Sequence, residues 1–144
     1  MSAVLPVAVK TIRDLSPSMM RLVFEAEDFG RLQATPCPDG WGRLCFPDAA
    51  SVLPRRPHLT GRLEGACILR RIAPPGAVTI DILRPDRGLT AVWAARARPG
   101  DRLLMSQPEG RFPLPAGSGR LLAFADITGL PTRPHLSAGI ALPR

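Results

Sequence analysis

A chain of 144 residues, 45% hydrophobic and 22% charged, has the make-up of one globular domain and is too short for two full ones. No apolar run approaches the roughly 20 residues of a membrane span, and Met1 to Lys10 lacks the regions of a secretory signal, so a cytoplasmic protein is expected. The net charge of +7 is almost all arginine, with Lys10 the only lysine and no tyrosine anywhere. The arginines are spread from Arg13 to Arg144 with no basic helix or aromatic interleaving, which argues against nucleic acid and leaves two readings. One is a solvated surface; the other is a basic face that attracts phosphates or anionic chelates.

Seventeen prolines and thirteen glycines favour short elements joined by turns over long helices. Cys37, Cys45 and Cys67 form no Cys-x-x-Cys pair and are odd in number, so they read as reduced core or loop residues. His58 and His135 stand apart from any acidic or cysteine cluster and read as surface residues. No metal site is expected.

Val7 to Leu15 alternates loosely and meets a turn at Ser16-Pro17-Ser18, after which Met20 to Glu25 forms a second strand paired with the first. Glu27 to Gly30 ends that strand, with room for a single helical turn. Gly42 to Pro47 is a short third strand. Residues 47 to 65 hold three prolines and Arg55-Arg56 without periodicity, the mark of a functional or mobile loop. Ala66 to Ile72, the turn Ala73-Pro74-Pro75-Gly76, and Ala77 to Leu83 make the clearest hairpin. Thr90 to Ala97 is the helix candidate, capped by Thr90 and stopped by Pro99-Gly100. Asp101 to Met105 is a further strand. Arg120 to Asp126 reads as a buried parallel strand opening an α/β unit, although Pro131, Pro134 and Pro143 crowd the tail beyond it.

The order of these pieces resembles the siderophore-interacting proteins, the flavin-dependent ferric-siderophore reductases of the ferredoxin-reductase type. The residues that carry the likeness are Asp14 to Phe24, Asp28-Phe29, Gly42 to Pro47, Trp93 to Leu103 with its Pro99-Gly100-Asp101 turn, and Asp126 with Thr128-Gly129-Leu130-Pro131. The resemblance implies a mainly β fold: an antiparallel six-stranded FAD-binding barrel with one short helix over residues 1–118. Residues 119–144 would then begin an NAD(P)-binding-like α/β domain, of which the chain carries the first strand.

In that family FAD is held by three elements, and each is changed here. An Arg-x-Tyr-Thr strand, whose tyrosine stacks on the isoalloxazine, aligns with Gly65, Cys67 and Ile68, and only the following Arg70 survives. A Gly-x-Ala-Ser-x-Trp segment at the barrel helix aligns with Gly88, Thr90, Ala91 and Trp93, so Gly88 and Thr90 stand where backbone N–H groups address the pyrophosphate. Pro85 replaces a histidine. An Asp-Glu-Thr junction near the ring keeps Asp126 and Thr128, with Ile127 in place of the acid.

The resemblance thus implies FAD as cofactor, Arg70, Gly88, Thr90, Trp93, Asp126 and Thr128 as its contacts, and a ferric siderophore as partner. NAD(P)H is not expected to be held by this chain alone, because the family's nicotinamide site lies in the second domain. Each contact has a plainer alternative: Trp93 as a core anchor, Gly88 as a turn, Thr90 as a helix cap, Arg70 as a surface residue, Asp126 as a strand end, Cys67 as an inert thiol. Two other readings stay open for the whole chain. One is a barrel that has lost flavin and serves as a binding module. The other is a nonfunctional fragment that self-associates through the strand 120–125.

Overall fold

A computed structural model describes residues 4–33, 35, 37–46, 64–84, 88–113, 115, 117, 122 and 124–129. Six strands account for most of them: β1 (Val4–Ser16), β2 (Met19–Ala26), β3 (Trp41–Cys45), β4 (Glu64–Ala73), β5 (Ala77–Leu83) and β6 (Arg102–Ser106). A 3-10 turn at Phe29–Arg31 follows β2, and one helix, α1 (Leu89–Ala94), precedes β6. The strands close into an antiparallel barrel in the order β1-β2-β5-β4-β3-β6.

Alternation builds the interior. Leu5, Val7 and Val9 of β1 point inward, as do Met20, Leu22 and Phe24 of β2, Val78, Ile80 and Ile82 of β5, and Leu103 and Met105 of β6. Successive strand side chains point to opposite faces, so each of these strands buries every second residue. Full burial of one such side chain contributes about 1.5–3 kcal/mol. β1 closes the ring because it is long: Val4 to Ala8 pair with β6, while Val7 to Ser16 pair with β2.

The hairpin expected at residues 73–76 is present. Gly76, at φ +150°, donates its N–H to the Ala73 carbonyl at 3.1 Å and accepts from the Ala26 N–H at 2.9 Å. A Cβ there would press on the Ala26 carbonyl oxygen at 3.3 Å, which ties the turn to glycine on two counts.

Two expectations need correction. The helix starts one residue earlier than Thr90, with Gly88 as its extended N-cap, and ends at Ala94 rather than Ala97. The reason lies beyond the helix. The turn at residues 98–101 docks on β1, with Gly100 N–H to the Val9 carbonyl at 2.7 Å and Val9 N–H to the Asp101 carbonyl at 2.8 Å, and the chain must leave the helix to reach it. The strand expected at Arg120 to Asp126 is also not seen: Leu122, Phe124, Ala125 and Asp126 lie outside any strand. A strand needs a neighbour for its backbone groups, and a closed barrel has no free edge to offer. Pro85, the Arg55-Arg56 loop with Arg62, and both histidines lie outside the described residues.

Candidate functional site

Packed against β4 and β5, α1 leaves a cleft of about 540 Å³. Its walls are residues 65–68 of β4, 81–83 of β5 and 88–91 around the start of α1, with Met19, Trp41 and Thr128 at its margins. Stretches more than 60 residues apart in sequence therefore meet at one surface. The volume falls within the roughly 300–1,000 Å³ of small-molecule sites.

The inner end of the cleft is set by a close approach of helix and strand. A Cβ built on Gly65 would collide with Thr90 Oγ1 and come within 3.2 Å of the Phe46 ring. Gly65 is therefore required by α1 as it is seated, and Thr90 fills the space a larger residue would take. The Cys67 thiol points the same way, donating to Thr90 Oγ1 at 3.7 Å. Burial pushes this thiol up from its ordinary 9.0 to about 11, against a smaller opposing pull from Thr90. Cys67 therefore stays a protonated thiol at neutral pH, the less reactive form.

A charged cluster borders the opposite wall. Asp81, its side chain only 4% exposed, accepts from Arg21 Nε at 2.7 Å and Nη2 at 2.9 Å, a forked pair, and from Arg70 Nη1 at 3.2 Å. Arg21 and Asp81 face each other across β2 and β5, whereas Arg70 sits at a register shift in β4 between Leu69 and Arg71. Such a bulge re-aims a side chain. The hydrogen bond to Asp81 holds Arg21 more firmly protonated than an isolated guanidinium. Two cations share one carboxylate, so the cluster keeps a net positive charge beside the cleft.

Of the six residues singled out from sequence, Gly88, Thr90 and Thr128 line the cleft. Arg70 reaches its border through Asp81, which lines the cleft. Trp93 does not join them: it packs inward, 5.3 Å from Phe46 and 6.3 Å from Phe24 between ring centroids, as a core anchor. Asp126 is exposed and bonds to Thr128, accepting from its Oγ1 at 2.5 Å and its N–H at 2.9 Å. Those bonds, with one from the Gly129 N–H, hold its carboxyl below the ordinary range. Asp81 and Trp41, which line the cleft, and Arg21, which binds Asp81 from the neighbouring strand, escaped the sequence reading. The available signal was a lone acid inside Ile80-Asp81-Ile82 and a lone arginine inside Met20-Arg21-Leu22, each in a strand of otherwise apolar character. No group of metal-ligating side chains is present among the described residues.

Comparison with known proteins accords with this geometry. The family profile described as the siderophore-interacting FAD-binding domain matches residues 8–112. Among solved structures, the chain is similar to the siderophore-interacting protein SipS from Aeromonas hydrophila, with a TM-score of 0.77 at 18% identity over 97% of this chain and 55% of that one. A siderophore-interacting protein from Acinetobacter baumannii gives 0.74 at 19% identity, again over 97% of this chain and 55% of that one. Phthalate dioxygenase reductase gives 0.66 at 12% identity, over 94% of this chain and 39% of that one. The barrel is thus of the ferredoxin-reductase FAD-binding kind, and the chain spans about half the length of the siderophore-interacting structures it matches. No curated protein matches it significantly.

Proposed function

The chain belongs to the siderophore-interacting FAD-binding domain family, and from that premise we propose that its cleft receives the isoalloxazine ring of FAD and that the domain serves in reducing a ferric siderophore. The observation that carries this reading is the meeting of residues 65–68, 88–91 and Thr128 on one cleft bordered by a net positive cluster. The fit to flavin differs between the two ends of that cofactor. Met19, Ile68, Ile82 and Leu89 give the apolar walls a ring needs. For the phosphates, Gly65 replaces the family's arginine, and the two guanidinia beside the cleft, Arg21 and Arg70, are already bonded to Asp81.

When bound, FAD supplies the electron-carrying chemistry, and the protein's part is position and access. Cys67 stays neutral at the inner end of the cleft. The Thr90 hydroxyl, held against β4, fixes how deeply a ring can enter. The Arg21–Asp81–Arg70 cluster favours an electron-rich or anionic group at the cleft's border. NAD(P)H binding belongs, on this reading, to an α/β domain beginning near residue 119, and the protein works in the cytoplasm. No helix among the described residues is long and apolar enough to cross a membrane.

A second reading, a barrel that has given up flavin for another anionic ligand, is favoured by one observation: Thr90 occupies the space above Gly65. Self-association through residues 120–125 belongs instead to the reading of a nonfunctional fragment, and the 80% and 89% exposure of Leu122 and Phe124 supports it. To test the first, the chain is loaded with FAD, freed of excess, photoreduced anaerobically and given a ferric hydroxamate or catecholate complex with a ferrous-specific chelator. Iron(II) trapped at a rate well above a flavin-free control is the expected result. Equal rates would contradict it.

A further inference from the structure

Aromatic residues are scarce in this chain, two tryptophans and five phenylalanines without a tyrosine. Trp93, Phe24 and Phe46 are packed against one another in the core. Trp41 is placed differently. It opens β3, is only partly buried, and is the one aromatic lining the cleft among the described residues.

Its backbone is held from both sides. It exchanges two hydrogen bonds with Glu109, each 2.8 Å, and stands opposite Ile68 of β4, itself a cleft residue. The next residue but one along β3, Arg43, brings its guanidinium carbon to 5.1 Å from the Trp41 ring centroid. Arg43 also lies 3.9 Å from the Glu109 carboxylate, so the chain segment that pins the tryptophan backbone also restrains the cation beside its ring. Arg43 thus sits over the Trp41 ring, and Trp41 also lines the cleft. A ring on a rigid strand, fixed at both neighbours, loses little freedom when a ligand stacks on it.

We propose that Trp41 is the stacking platform for the planar ring system bound in the cleft. The proposal rests on the flavin reading above and adds to it the residue that recognises the ring. The strand position where a tyrosine would stack holds Cys67, which turns toward Thr90. The aromatic lining the cleft stands on the neighbouring strand instead: Trp41 pairs with Ile68 and shares its face of the sheet, the face opposite Cys67, which pairs with Gly42. Recognition centred on the ring has a consequence for ligand choice: riboflavin, which lacks the phosphates, depends on Trp41 as much as FAD does.

The test is the dissociation constant of FAD and of riboflavin for the full chain and for Trp41→Phe, Trp41→Leu and Trp41→Met. Leucine and methionine keep apolar bulk in the strand and remove the π face; melting curves report whether each variant folds, and either one that does decides the question. Loss of stacking is expected to weaken both ligands by a common factor of about 5- to 150-fold, while Trp41→Phe stays within about fivefold of the parent at the same melting temperature. Unchanged affinity in a folded leucine or methionine variant would overturn the role of Trp41 and leave flavin binding intact. Weakening of FAD without riboflavin would overturn it as well, because the ring is common to both. Failure of the parent chain to bind either compound would remove the flavin reading and this one together.

Discussion

The inside of the barrel and the cleft beside α1 are built on different principles. Inside, Leu5, Val7, Leu22, Phe24, Val78, Ile80, Leu103 and Met105 form one apolar mass in which any residue is backed by several others. In the cleft, individual contacts have no substitute: one glycine makes room for one threonine, and one carboxylate serves two guanidinia. The interior follows from a two-residue period that any strand of this composition would show. The cleft depends on register, on a bulge and on the seating of a six-residue helix. Fold and site are therefore separable, and substitutions should show it.

The largest effect belongs to the interior. Phe24→Ala removes a fully buried ring that also touches Trp93, and a loss of about 3–5 kcal/mol is expected in urea unfolding. Asp81→Ala comes next, at about 3 kcal/mol, the low end for a buried pair because both arginines reach solvent. Its distinguishing mark is partial recovery in the double variant with Arg70→Met, which removes one of the two cations left facing each other. Gly65→Ala should cost about 1–3 kcal/mol through overpacking against Thr90. Thr90→Ala in the same chain should return most of that loss, whereas independent sites would simply add.

Cys67 gives the smallest effect at neutral pH and a distinct one in alkali. Its folded pKa is raised, so the native state holds the proton that the unfolded chain gives up first. The stability it contributes is whole below about pH 9 and is lost as pH rises toward 11. Cys67→Ala should flatten that part of the pH–stability curve, read by unfolding midpoints from pH 8 to 11, with little change at pH 7.

These differences also mark what the amino-acid sequence discloses. The hairpin at residues 66–83 is legible because alternation and a Pro-Pro-Gly turn are local properties. The helix end is not, because Gly100 and Asp101 bond to Val9 and no local signal announces that docking. Arg120 to Asp126 reads as a strand from its apolar character, yet the described residues there lie outside any strand. In the cleft, Gly88, Thr90 and Thr128 came from motif order. Arg70's attachment to Asp81 did not, since a bulge between Leu69 and Arg71 leaves no trace in composition. Trp41 was missed for a related reason: its place at the cleft depends on pairing with Ile68, 27 positions along the chain.

One measurement bears most directly on the cleft as a flavin site. The chain is incubated with FAD, desalted, and its visible absorbance, flavin fluorescence and circular dichroism are recorded together. One equivalent of retained flavin with a shifted, better-resolved absorbance band is the expected result. A folded barrel that leaves the column without flavin would contradict it.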